Sequence, residues 1–206
     1  MGGRSNKSNV VQLDPEEIDR IETEVGEIMA AVPARIWDGR SLPVPIDLIA
    51  SEVYGLKIRE VSQDQMKEAT GEVSIEGTIS GLLLTSIGEI WVYDWEAMHE
   101  VWGATRRRFT IGHELGHFVM HQTGKPAIYC RVSEADEGQE GVHTTYPIPE
   151  AEANSFSAAL LMPADLVRAE IGSGKVDENR LLSLRELFEA SDKAMRRRVR
   201  AVQAIG

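Results

Sequence analysis

The chain of 206 residues contains a single cysteine, Cys130. No disulfide can form within it, which fits a reducing, cytoplasmic setting. No stretch approaches the roughly 18 consecutive apolar residues of a membrane span. The opening MGGRSNKSNV lacks the apolar segment of a secretory signal. Asn6 stands where an N-myristoylation pattern needs Ser or Thr. Internal repeats and low-complexity tracts are lacking as well. Basic charge is also short, with 22 Lys and Arg against 33 Asp and Glu for a net -11. That balance argues against nucleic acid as the main partner of the whole chain. What remains is a soluble globular protein with one well-buried core and room for a small appended subdomain.

The charge is uneven along the chain. From Lys175 to the end, eight Lys and Arg oppose five Asp and Glu, a surplus of +3 that leaves -14 for the rest. Residues 1–12 are polar and read as disordered. DPEEIDRIETEVGEIMA, from Asp14, reads as a helix with Asp as cap, Pro at the first position and acids in the first turn. A second helix is expected over 42–55, then a strand at LKIREV. GTISGLLLTSIGEIWVYD predicts two strands turning near Gly88, the second from Ile90 to Tyr93. A helix over about 95–106 leads into RRRFTIGHELGHFVMHQ, and an irregular, acidic segment follows at 123–149. Helix resumes at EAEANSFSAALLMP, which Pro163 ends or restarts. The tail reads as two short helices around Ala190-Ser191-Asp192.

HELGH carries the chemistry. On a helix His113 and His117 lie about 40° apart on one face, with Glu114 beside them. Two imidazoles one turn apart can share a tetrahedral zinc ion, and the carboxylate can reach a water on it. Ile111, Leu115, Phe118 and Val119 form the opposite, apolar stripe. Gly112 and Gly116 weaken the helix, which makes sense if another backbone passes close to this face. With five His in the chain, chance alone yields this pattern in roughly one such sequence in a hundred. A third ligand is therefore needed to distinguish a metal site from an amphipathic helix with surface histidines.

His121 lies about 12 Å along the axis from His113, too far for both to bind one ion on a continuous helix. It is assigned a supporting or structural role. His143, in the acidic segment, is a lesser candidate as ligand or oxyanion donor. On the helix at 150–163, Ala153, Asn154, Ser157 and Ala158 fall within about 80° of Glu150, while Glu152 points elsewhere. That small-residue face suits close packing against Gly112 and Gly116, and it favours Glu150 over Glu152 as the metal carboxylate. Asn154, one turn on, can hold the second nitrogen of a liganding histidine.

RRRFTIGHELGHFVMH, followed by ExxANxFxAxLLMP at 150–163, resembles the ImmA/IrrE metallopeptidases. IDLIASEVYGLKI and ISGLLLTSIGEIWVYD resemble the same family upstream, so the likeness spans roughly residues 42–200. Ser157 departs from the usual Ala, and the acidic segment falls outside the likeness. The resemblance implies an α+β fold with a small mixed or antiparallel sheet packed on helices. A zincin-like metallopeptidase domain would cover 13–172, and a basic, helix-turn-helix-like subdomain 173–206. It further implies one zinc ion per chain on His113, His117 and Glu150. Glu114 would act as general base and then deliver the proton to the leaving amine. Tyr146, His143 and Tyr129 are the candidates for oxyanion support. Ile90, Trp91, Val92 and Tyr93 are a candidate edge strand for an extended substrate.

The family's activity implies limited cleavage of a helix-turn-helix repressor in stress-response or mobile-element control. A toxin of a toxin–antitoxin pair using the same zinc site is one alternative, with the cognate antitoxin as partner. A DNA-binding regulator with a vestigial peptidase fold is another. In the tail, Phe188, Ser191, Ala194 and Arg198 match the segment that closes many family members. Lys193, Arg196, Arg197, Arg198 and Arg200 can reach phosphates, although a packing role with a solvated basic face is favoured over direct nucleic-acid binding.

Overall fold

The computed structural model describes residues 13–71, 77–121, 128–133, 147–172 and 176–204. Helix α1, Pro15–Ala31, starts as its sequence dictates: Asp14 caps it by accepting from Glu17 N at 2.8 Å, with Pro15 in the first turn. Helix α2, Ile46–Leu48, runs on into a π-helical turn, Ile49–Val53. It begins four residues later than expected. Pro43 and Pro45 bias the residues before them away from helical geometry. Strand β1 is Lys57–Val61, and helix α3, Gln63–Thr70, follows it where no element was expected. Its signal is local: a capping box in which Ser62 and Gln65 hold each other's backbone N–H groups.

Strands β2, Thr78–Leu84, and β3, Glu89–Tyr93, form the expected hairpin, and Gly88 takes the left-handed conformation of its turn (φ 64°). The expected helix over 95–106 is broken. Helix α4, Asp94–Ala97, stops, and helix α5, Gly103–Met120, begins after a reversal. A Cβ at Gly103 would lie 2.4 Å from the Ala97 carbonyl oxygen, so the chain turns back there only because residue 103 is glycine.

The sheet is mixed, in the order β1-β3-β2-β4, with β4 spanning Ile128–Ser133 inside the stretch expected to be irregular. β1 runs parallel to β3, and β4 runs antiparallel to β2. Strand β3 therefore has a neighbour on both sides, and the expectation that Ile90, Trp91, Val92 and Tyr93 form an edge is corrected. Their backbone groups are already committed to Ile58–Val61 on one side and Gly81–Leu83 on the other.

Helix α6, Pro147–Leu161, lies against α5, and Pro163 separates it from α7, Ala164–Ile171. Helices α8, Glu178–Phe188, and α9, Asp192–Ala204, complete the chain. Leu181, Leu184, Phe188, Met195, Val199 and Val202 from these two helices enter the same buried cluster as Ile21, Leu83, Ile111 and Phe156. The tail's basic residues are partly consumed by this packing. Arg198 is buried, gives its Nε to the Met162 carbonyl at 2.7 Å and clamps Glu22 of α1 with both terminal nitrogens. Arg196 is tied to Asp192 and Glu178. Among the described residues, no helix is long and apolar enough to cross a membrane.

Candidate metal centre

Three consecutive arginines fix the first turns of α5, each in a different direction. Arg106 reaches buried Glu96 at 2.7 Å and Ser80 at 3.3 Å. Arg107 binds Asp47 and Glu60. Arg108 gives a hydrogen bond to the Val44 carbonyl at 2.8 Å and approaches Glu189 at 3.3 Å. Burial pushes the Arg108 guanidinium below its usual range, with Glu189 opposing that shift. The arginine run is thus a set of struts rather than a phosphate-binding patch.

Two turns further on, His113, Glu114 and His117 are all buried. Helix α6 passes directly across this face. A Cβ at Gly112 would sit 2.6 Å from Ser157 Oγ, and one at Gly116 would sit 3.2 Å from the Ala153 Cα. The two glycines are what allow the helices to approach so closely, and that approach carries Glu150 to the histidines.

Nε2 of His113 lies 3.1 Å from Nε2 of His117. The two oxygens of Glu150 stand 3.1 Å from His113 Nε2 and 3.0 Å from His117 Nε2. These three residues form a buried group that can hold a metal ion. Glu152 is not part of it. Its carboxylate lies 2.9 Å from His121 Nε2 and 3.5 Å from Arg20.

The donor chemistry fits a metal. His113 Nδ1 is 3.1 Å from the Asn154 side-chain oxygen, an acceptor, so this nitrogen carries the proton. The Nε2 of His113 is then a lone pair facing a second imidazole nitrogen and a carboxylate. Such a convergence of acceptors is a donor set suited to a cation. Ligand atoms about 2.0–2.1 Å from a tetrahedral ion are about 3.3–3.4 Å apart, close to the separations seen here.

Glu114 stands outside the ligand group, beneath strand β2. A Cβ at Gly81 would lie 2.5 Å from Glu114 Oε1 and 2.5 Å from Thr110 Cγ2. Gly81 therefore makes room for the carboxylate, a role not assigned from sequence. The available signal was a glycine inside an otherwise apolar buried strand.

His121 is the cap of α5 and bonds through Nδ1 to His117 Nδ1 at 2.9 Å. Burial lowers its pKa, with the hydrogen bond to Glu152 opposing. Tyr129 of β4 stacks on the His117 ring at 4.7 Å and donates its hydroxyl to the His121 carbonyl at 2.6 Å. With that hydroxyl engaged, Tyr129 is a brace for the site rather than an oxyanion donor. His143 and Tyr146, the other candidates for that role, lie outside the described residues, as does most of the acidic segment. Ile90 to Tyr93 lie in the sheet interior, between β1 and β2.

A helix bearing HExxH, joined by an acid from a following helix beneath a small mixed sheet, is the arrangement of a zincin-like metallopeptidase. Residues 103–200 match the family model of the M78 peptidases, described as the IrrE N-terminal-like domain. This stretch of the chain, from the start of α5 into α9, carries both motifs by which the sequence resembles that family. A search of the curated proteins found no match.

Proposed function

We propose that the chain is a zinc-dependent endopeptidase that makes a limited cut in a helix-turn-helix transcriptional repressor, acting in the cytoplasm. The observation that carries the peptidase reading is the convergence of His113, His117 and Glu150 at 3.0–3.1 Å with the Glu114 carboxylate buried beside them. A zinc ion held there would lower the pKa of a water molecule toward about 7 and polarise a carbonyl. Glu114 takes the proton from the attacking water. It then delivers that proton to the departing amine as the peptide C–N bond breaks, leaving a carboxylate and an amine. Asn154 holds His113 in the tautomer that presents Nε2 to the ion.

Strand β4 replaces β3 as the platform for an extended substrate. Among the described residues it pairs only with β2, and it carries Tyr129 against His117, so its other edge is unpaired in a strand that touches the site. The repressor as substrate rests on the family resemblance. A chain of net charge -11 suits a basic DNA-binding partner. Direct nucleic-acid binding by the tail is disfavoured, since Arg196 and Arg198 are held by acidic residues of this chain.

Metal analysis of the purified chain is expected to find one zinc, lost on chelation. Co-expression with a helix-turn-helix repressor that is its substrate is expected to yield two repressor fragments. Glu114→Gln should keep the zinc and leave the repressor whole. Cleavage by that variant at the wild-type rate would sink the assignment.

A further inference from the structure

His117 is gripped from two directions by groups outside the ligand set. Its Nδ1 lies 2.9 Å from Nδ1 of His121, and the far nitrogen of His121, Nε2, lies 2.9 Å from Glu152 Oε2. Its ring lies flat on Tyr129, whose hydroxyl donates to the His121 carbonyl and so holds that backbone in place. Behind Glu152, at 3.5 Å, stands Arg20 of α1, which is itself paired with Glu17 and Glu24.

The donors in this chain are ordered from its far end. A carboxylate can only accept, so the proton between His121 and Glu152 belongs to His121 Nε2. Nδ1 of a neutral His121 is then an acceptor, and the hydrogen of the His117–His121 contact belongs to Nδ1 of His117. That leaves Nε2 of His117 as a lone pair facing His113 Nε2 and Glu150. The contact at His113 ends on a neutral amide, whereas the contact at His117 ends on a carboxylate.

We propose that His121 and Glu152 are a positioning pair for His117: together they hold its imidazole as the Nδ1–H tautomer with Nε2 aimed at the metal position. The inference rests on the metal centre proposed above. His121, excluded from the ligand set by its distance along the helix, acts through its neighbour. Glu152 points away from the ligand group on α6 because its partner is His121.

The test uses the full chain labelled with 15N-histidine. Long-range 1H–15N spectra of the metal-free protein are expected to show His117 protonated on Nδ1 and His121 on Nε2. Zinc affinity, read by competition with a chelator, is expected to fall about 10- to 100-fold in His121→Phe, and the His117 tautomers should become mixed. His121→Gln should recover most of the affinity, since its amide oxygen can accept from His117 while its NH2 reaches Glu152. Glu152→Gln should fall between wild type and His121→Phe.

A proton on His117 Nε2 in the metal-free wild type would overturn the inference. So would a His121→Phe chain that melts lower but binds zinc as tightly as wild type with its tautomer unchanged. Either result leaves the metal centre standing. A wild-type chain that binds no zinc would remove both readings together.

Discussion

Ser157 of α6 occupies the space that a side chain at position 112 of α5 would need, its Oγ standing 2.6 Å from a Cβ built there. The hydroxyl is held in place by donating to the Phe109 carbonyl at 3.0 Å. Gly112 and Ser157 are therefore one fitted pair, and the departure from the usual Ala at 157 has its consequence at 112.

Gly112→Ala alone is expected to destabilise by about 1–3 kcal/mol through overpacking. In a Ser157→Ala background the obstructing oxygen is gone, and the same change should be neutral or stabilising by up to about 1 kcal/mol from helix propensity. Denaturant melts of the four proteins give the coupling directly. Additive effects would show that the two residues do not interact in this way.

Gly81 tests the placement of Glu114, the proposed general base. Gly81→Ala puts a methyl group 2.5 Å from Glu114 Oε1. Peptide cleavage is expected to fall by about 10²-fold or more, while the zinc content of the purified protein stays at the wild-type level. Loss of zinc in that variant would mean that Gly81 supports the ligands instead.

Arg198 ties the last helix to the first. Removing one partner of a buried ion pair strands the other, so Arg198→Ala is expected to cost about 3–5 kcal/mol, or about 10 °C in melting temperature for a chain of this size. A change of a degree or two would mean that Glu22 is satisfied by solvent.

The metal helix was legible in the sequence because its chemistry is local. His113, Glu114 and His117 share a face by helical geometry alone, and the Asp14 cap and the Gly88 turn are equally short-range signals. Glu150 was legible for a less obvious reason. The small residues one and two turns after it on the same face, set beside Gly112 and Gly116, described two surfaces made to touch. The edge reading of Ile90 to Tyr93 failed because alternation of side chains is the same in an interior strand and an edge strand. The helix expected over 95–106 failed because nothing local marks Gly103 as the place where the chain turns against Ala97.

Local spacing alone thus settles which helix bears the paired histidines that could hold a metal and which carboxylate stands next to them, since a helix places residues four apart on one side whatever surrounds it. Whether those groups converge is a matter of packing. The crossing of α5 and α6 at Gly112 and Gly116 brings Glu150 within 3.0–3.1 Å of both imidazoles. The order of strands puts β4, and not β3, beside His117. The end of α5 lets His121 turn toward Glu152. These contacts join residues separated by tens of positions in the chain, and only the folded core brings them together.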